Sequence, residues 1–251
     1  NHFGATQALA RSALKAGHLA ESIVGTRALS RLSGGAWKAG MPKPQPLANA
    51  HRATRSQGDK VVYFPTCAGR MFGADTPEHA LSATVIRVLE RAGYAPIVPE
   101  GVGSLCCGQS FASKGLAEDA DRKSAELEAA LMKASNNGEY PVILDASACS
   151  LRMKTFLAER LTVYDLVEFA HDALLPRLML HKKEEPVLIH LNCSARRMGA
   201  EAKLRKLADA CATRSVLPAE VKCCGFGGDP AHPAALTSGE FVFPVEAVQH
   251  Y

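Results

Sequence analysis

Apolar positions recur at helical spacing near the start of the chain. Leu9, Leu14, Leu19, Ile23, Leu29 and Leu32 punctuate residues 4–33, which predicts one or two helices. Gly34-Gly35 closes the pattern. The run Met41-Pro42-Lys43-Pro44-Gln45-Pro46 must be extended, because each proline fixes its own φ and restricts the residue before it. Residues 47–60 are polar and linker-like, and a compact body begins at Val61.

Beyond that point short apolar runs alternate with helical periods. Strands are expected at residues 61–65, 95–99, 142–145, 187–191 and 214–217. Helices are expected at residues 78–92, 114–135, 153–160 and 200–212. This order predicts an α/β fold with parallel sheets covered on both faces. Right-handed crossovers then gather the loops that follow the strands along one sheet edge.

The body repeats itself. Val61-Val62-Tyr63-Phe64-Pro65-Thr66-Cys67-Ala68-Gly69-Arg70-Met71 is similar to Val187-Leu188-Ile189-His190-Leu191-Asn192-Cys193-Ser194-Ala195-Arg196-Arg197-Met198. Each stretch leads to a helix, then a short strand ending near Pro99 or Pro218. Each then reaches a Cys-Cys-Gly triplet, Cys106-Cys107-Gly108 and Cys223-Cys224-Gly225. Two copies of one supersecondary unit explain this. The expected architecture is a helical arm and linker (1–60), a first cysteine-rich half (61–172) and a second, apparently incomplete half (187–251). The two halves are pseudo-symmetric, with parallel sheets and flanking helices.

Each half sets one Cys just past a strand, then 38 or 29 intervening residues, then a vicinal pair. The crossover should bring the two loops together, so three thiols converge. Thiolates are the soft ligands of zinc and iron–sulfur clusters, and a vicinal pair strains an internal disulfide. Gly108 and Gly225 permit close backbone approach and can aim N–H groups at sulfur. Cys149, at the expected end of the third strand, is the natural fourth ligand of the first half, against the alternative of a small buried hydrophobe. Cys211 reads as structural, and His190 as a core or supporting histidine. Asp229 and His232 are weak ligand candidates. Asp145 and Asp165 end strands without a clear partner, and no Gly-x-Ser-x-Gly elbow suggests a hydrolase.

Composition sharpens this picture. The chain has 251 residues, 47% hydrophobic and 22% charged, with eight cysteines and a net charge of +4. Residues 1–60 hold nine Lys/Arg against Glu21 and Asp59, and the remainder 20 basic against 23 acidic residues. Without aromatic interleaving the basic arm does not suggest nucleic acid. It reads as a surface that docks on a neighbouring domain, with an anionic membrane face as the other partner of matching charge. No apolar run approaches the roughly 20 residues of a membrane helix. The opening Asn1-His2-Phe3-Gly4 reads as a piece from inside a longer protein, with no export signal. Clustered cysteines in such a chain point to metal or redox work rather than disulfides.

The Cys…Cys-Cys-Gly repeat resembles the cysteine-rich domain found in heterodisulfide reductase and in the glycolate oxidase iron–sulfur subunit. The opening residues, helical arm and Met41-Pro42-Lys43-Pro44 linker resemble the C-terminal region of FAD-linked oxidases of the D-lactate dehydrogenase type. The resemblance implies an electron-transfer module of a flavin-dependent 2-hydroxy acid dehydrogenase. Cys67, Cys106, Cys107 and Cys149 match its first metal site, and Cys193, Cys223 and Cys224 its second. The implied cofactor is a 4Fe-4S type cluster or zinc, with FAD in the parent outside this chain. The implied partners are the parent's flavin and ferredoxin-like domains and a quinone or cytochrome-linked acceptor. The implied location is cytoplasmic, including the inner membrane face. The family usually ends each half with Cys-x-x-Cys; here Ala146 replaces the earlier Cys, which favours an ordinary four-Cys cluster or zinc over a noncubane cluster. Heterodisulfide-type thiol chemistry and a zinc-stabilised docking scaffold are the alternatives. The second half lacks its final cysteines, and a segment near residues 238–241 is expected to be missing.

Overall fold

The computed structural model describes residues 3–38, 41, 43–44, 57–73 and 80–218. The arm is two helices, α1 (Phe3–Val24) and α2 (Thr26–Leu32), joined at Gly25 with φ 79°. Only glycine takes that left-handed angle without strain. Trp37 turns back onto α1, where Gly17 leaves room for its ring; a Cβ at Gly17 would overlap it. His18 meets the same ring edge-on at 5.0 Å between centroids. The opposite face of α1 leaves Leu9, Leu19 and Ile23 exposed.

The linker is anchored to the body. β1 (Lys43–Pro44) pairs antiparallel with β3 (Phe72–Gly73), which lies after β2 (Asp59–Phe64) and α3 (Cys67–Met71). The extended character expected of the proline run is visible at Lys43–Pro44.

The first half continues through α4 (Leu81–Arg91), β4 (Tyr94–Ile97), a 3-10 turn (Val102–Ser104), α5 (Gln109–Ala112) and α6 (Ala117–Ala134). It ends with β5 (Val142–Leu144), α7 (Ser147–Leu157), β6 (Val163–Asp165) and α8 (Leu166–Phe169). β4, β2, β5 and β6 form one parallel sheet in that order. The chain leaves β2 for β4 on one side and returns to β5 on the other, so the connections reverse direction beside β2. Open α/β sheets bind ligands at such a reversal, outside the carboxyl ends of the strands.

Strand β2 explains why the sheet is sandwiched. Its residues 61–64 are apolar without alternation and all fully buried. Val61 and Tyr63 face α4 and α8, with Val85, Ile86, Leu89 and Phe169. Val62 and Phe64 face α6 and α7, with Leu127, Leu131, Met153 and Leu157. Each such Leu contributes roughly 2 kcal/mol by leaving water.

After a π turn (Ala170–Leu174) and a 3-10 turn (Leu175–Arg177) come β7 (Val187–Leu188), α9 (Cys193–Arg197), α10 (Glu201–Cys211) and β8 (Ser215–Val216). β7 and β8 pair in parallel, over a small core of Ile189, Leu191, Ala195, Ala200, Leu204 and Ala208.

The α/β expectation and the helical arm stand. Three local expectations change. The helix placed at 153–160 begins at Ser147; Ser147-Ala148-Cys149-Ser150 carries almost no apolar period, so periodicity could not find its first turn. Cys149 is therefore inside α7, not at a strand end. A strand at Val163–Asp165 and the helix after it were absent from the expected strands and helices, although Asp165 was expected to end a strand. The strands expected at 187–191 and 214–217 shorten to two residues each.

Candidate metal centre

Three adjacent strands, β4, β2 and β5, run parallel, so the loops that follow them share one edge. The loop after β2 begins α3 with Cys67 as its first residue. The loop after β4 carries Cys106 and Cys107. The loop after β5 carries Asp145 and, in the first turn of α7, Cys149. Residues spread over more than eighty positions of sequence thus meet at one place.

The four thiols touch in series. The Cys67 and Cys107 thiols both donate to Cys106, and Cys107 also hydrogen-bonds Cys149. Cys67 also feels the charge of Cys149. Cys106, Cys107 and Cys149 are buried and Cys67 is partly exposed, so the site is closed on the core side and open at Cys67.

The thiols divide the charge unequally. Hydrogen bonds from Cys107 and Cys67 hold the Cys106 thiol well below its ordinary value, helped by the Gly108 N–H and the Arg70 guanidinium. The Cys67 thiol is pushed up, first because it donates to Cys106 and then by burial. Cys107 is pushed up for the same two kinds of reason. Ligation requires the remaining protons to leave.

Gly108 fits its expected role. It sits at φ 82°, its N–H lies 3.4 Å from Cys106 Sγ, and a Cβ there would overlap the Ala120 carbonyl. Asp145 has partners that the sequence did not reveal. It accepts from the Tyr63 hydroxyl at 2.7 Å and the Thr66 N–H at 2.9 Å. Burial raises its pKa, and those hydrogen bonds oppose the rise. Asp145 thereby ties the β2–α3 turn to the end of β5, and Gly69 lets the carboxylate approach α3 closely. Asp165 caps α8 in a capping box with Glu168.

Two arginines were missed. Arg70 Nη2 donates to the Leu105 carbonyl at 2.7 Å, just before the vicinal pair. Arg152 Nε donates to the Cys107 carbonyl at 2.9 Å, and Ser124 Oγ donates to the same oxygen at 2.9 Å. Arg70 is three residues after Cys67, and Arg152 three after Cys149. Each arginine sits one helical turn beyond a cysteine and reaches across to the vicinal loop. The signal was Cys-x-x-Arg, repeated at Cys193 and Arg196.

The remaining candidates sit elsewhere. Cys193 opens α9 and is exposed. Cys211 ends α10, where burial raises its pKa. His190 is half-buried in the second half. Cys223, Cys224, Gly225, Asp229, His232 and the segment at 238–241 lie outside the described residues.

Among the described residues no group of three or more Cys, His, Asp or Glu side chains is set to enclose a metal ion as it stands. The donor set nevertheless has the chemistry of one: four thiols linked in series, with a partly buried guanidinium beside them. Arg70 Nε and Nη1 are buried and have no hydrogen-bond partner among the described residues, as expected where an anionic group belongs.

Comparison with known families matches residues 61–154 to the cysteine-rich domain family, CCG. No curated protein and no solved structure matched the chain.

Proposed function

We propose, taking residues 61–154 as a cysteine-rich domain of the matched family, that the chain is a metal-binding redox module. Cys67, Cys106, Cys107 and Cys149 hold a 4Fe-4S type cluster, and Cys193, Cys223 and Cys224 serve a second site. The observation that carries this reading is the contact of four thiols at the carboxyl edge of one parallel sheet. When bound, such a cluster accepts and releases single electrons.

The chain's own residues prepare the site. Arg70 and Arg152 fix the carbonyls on either side of the vicinal pair. Gly108 brings an N–H to sulfur, and Asp145 locks the turn that presents Cys67. The core beneath excludes water from Cys106, Cys107 and Cys149, while Cys67 faces the side from which an electron can come.

In the fuller reading, the parent protein is an FAD-linked 2-hydroxy acid dehydrogenase of the D-lactate or glycolate type. Its flavin and ferredoxin-like domains dock on the arm, and electrons pass on to a quinone or cytochrome-linked acceptor at the cytoplasmic membrane face. The exposed Leu9, Leu19 and Ile23 on α1 support a docking role for the arm. No helix among the described residues is long and apolar enough to cross a membrane.

The test is anaerobic purification followed by iron, sulfide and zinc quantitation, visible absorption and EPR. Iron and sulfide with a reducible EPR signal support the cluster. Colourless protein with stoichiometric zinc replaces it with a structural zinc site, which four thiolates also suit.

A further inference from the structure

The partly buried cation beside the thiols has no partner, among the described residues, for two of its three nitrogens. Arg70 stands on α3, one turn after Cys67. Its Nη2 is spent on the Leu105 carbonyl, and its guanidinium carbon lies 5.5 Å from the Phe64 ring centroid. These two contacts hold the plane of the group. Nε and Nη1 remain, both buried and both unpaired. Leaving an N–H buried and unpaired is costly, and more so on a charged group.

The neighbourhood adds to this cost. Burial lowers the Arg70 pKa, and the charges of Cys67, Asp145 and Cys106 oppose that shift. The charge of Arg11 on α1 works, more weakly, against the guanidinium. Asp145 has its two oxygens occupied by Tyr63 and Thr66. The Asp145 oxygens are thus taken, and the sulfurs remain as the negative groups that the guanidinium can face.

We propose that Arg70 is the fixed counter-cation of the metal centre, donating Nε–H and Nη1–H to the thiolates and to the group they hold. This rests on the four-thiol reading of the centre. A cluster held by four thiolates is an anion, and each added electron makes it one charge more negative. A cation that does not move favours the reduced form over the oxidised one. Arg70 is a positioning residue, because its effect passes through the ligands.

The test uses this chain reconstituted anaerobically with iron and sulfide, in wild type, Arg70→Met and Arg70→Lys. Potentiometric titration with dithionite as the electron source, followed by EPR, gives the midpoint of each. The expected result is a negative shift in Arg70→Met at equal iron content, with Arg70→Lys between it and wild type. A merely structural role would lower iron content without moving the midpoint, so an unchanged midpoint at full loading overturns the proposal. If Arg70→Met does not load but circular dichroism shows it folded, loading regained in Arg70→Lys supports the charge role, and failure of both overturns it. If wild type takes up zinc and no iron, the cluster reading fails by itself. Chelator competition then decides the role of Arg70: zinc bound tenfold or more weakly in Arg70→Met supports it, and equal affinity overturns it.

Discussion

Two stretches of similar local sequence, one around Cys67 and one around Cys193, lie in different surroundings. In the first, Cys67 starts a short helix after a central strand, flanked by two more parallel strands whose loops bring Cys106, Cys107 and Cys149 to it. In the second, Cys193 also starts a short helix, with Asn192 Oδ1 accepting from the Ala195 N–H, yet its side chain is exposed. Among the described residues two short strands support it. Cys67 meets other thiols through the loops that follow the neighbours of β2, whereas Cys223 and Cys224, the expected counterparts for Cys193, lie outside the described residues.

The sharpest way to break this comparison is to remove a sulfur from each half. Cys107→Ser is expected to lose the metal of the first half entirely, whereas Cys193→Ser keeps it, as read by metal content per chain after anaerobic loading. Equal losses in both variants would mean that the halves share one site.

Gly108→Ala comes next. It forces a side chain into the left-handed region and onto the Ala120 carbonyl, so a loss of roughly 3 kcal/mol is expected in urea denaturation. Gly199→Ala, at φ 69° with open space around it, is expected to cost about 1 kcal/mol. A similar contrast applies to the cores. Leu127→Ala, fully buried in the layer beneath the thiols, is expected to cost about 3 kcal/mol, and Leu204→Ala in the smaller second core about 2 kcal/mol.

The smallest effect lies at the contact between halves. Asp172 pairs with Lys203 on α10 and with His171, and these partners hold its pKa below the ordinary value. A depressed acid stabilises the fold above its unfolded pKa, and that contribution is lost as pH falls through the folded one. The pair is partly exposed, so less than about 1 kcal/mol should disappear below pH ~4. Asp172→Asn should flatten that part of the stability–pH curve; an unchanged curve would assign the pair no role.

Much of the first half was legible because its elements are long or strongly apolar. The unbroken apolar stretch at 61–64 announces a strand buried on both faces, and the repeated Cys-Cys-Gly announces convergence. What stayed hidden depends on tertiary partners. The start of α7 has no apolar period to read. The role of Asp145 rests on a Tyr hydroxyl and an N–H some eighty residues away. The roles of Arg70 and Arg152 depend on carbonyls that only the folded loop supplies. Cys149, expected at a strand end, lies instead in the first turn of α7.

The central position of β2 also dictates an order of assembly. Its two neighbours are made after it, and the second of them, β5, delivers the last sulfur. A growing chain that has released Cys67, Cys106 and Cys107 still lacks the strand that seats Cys149, so a complete set of donors exists only after the sheet has closed. The meeting of the four thiols is thus a property of the finished sheet and of no local segment of the chain.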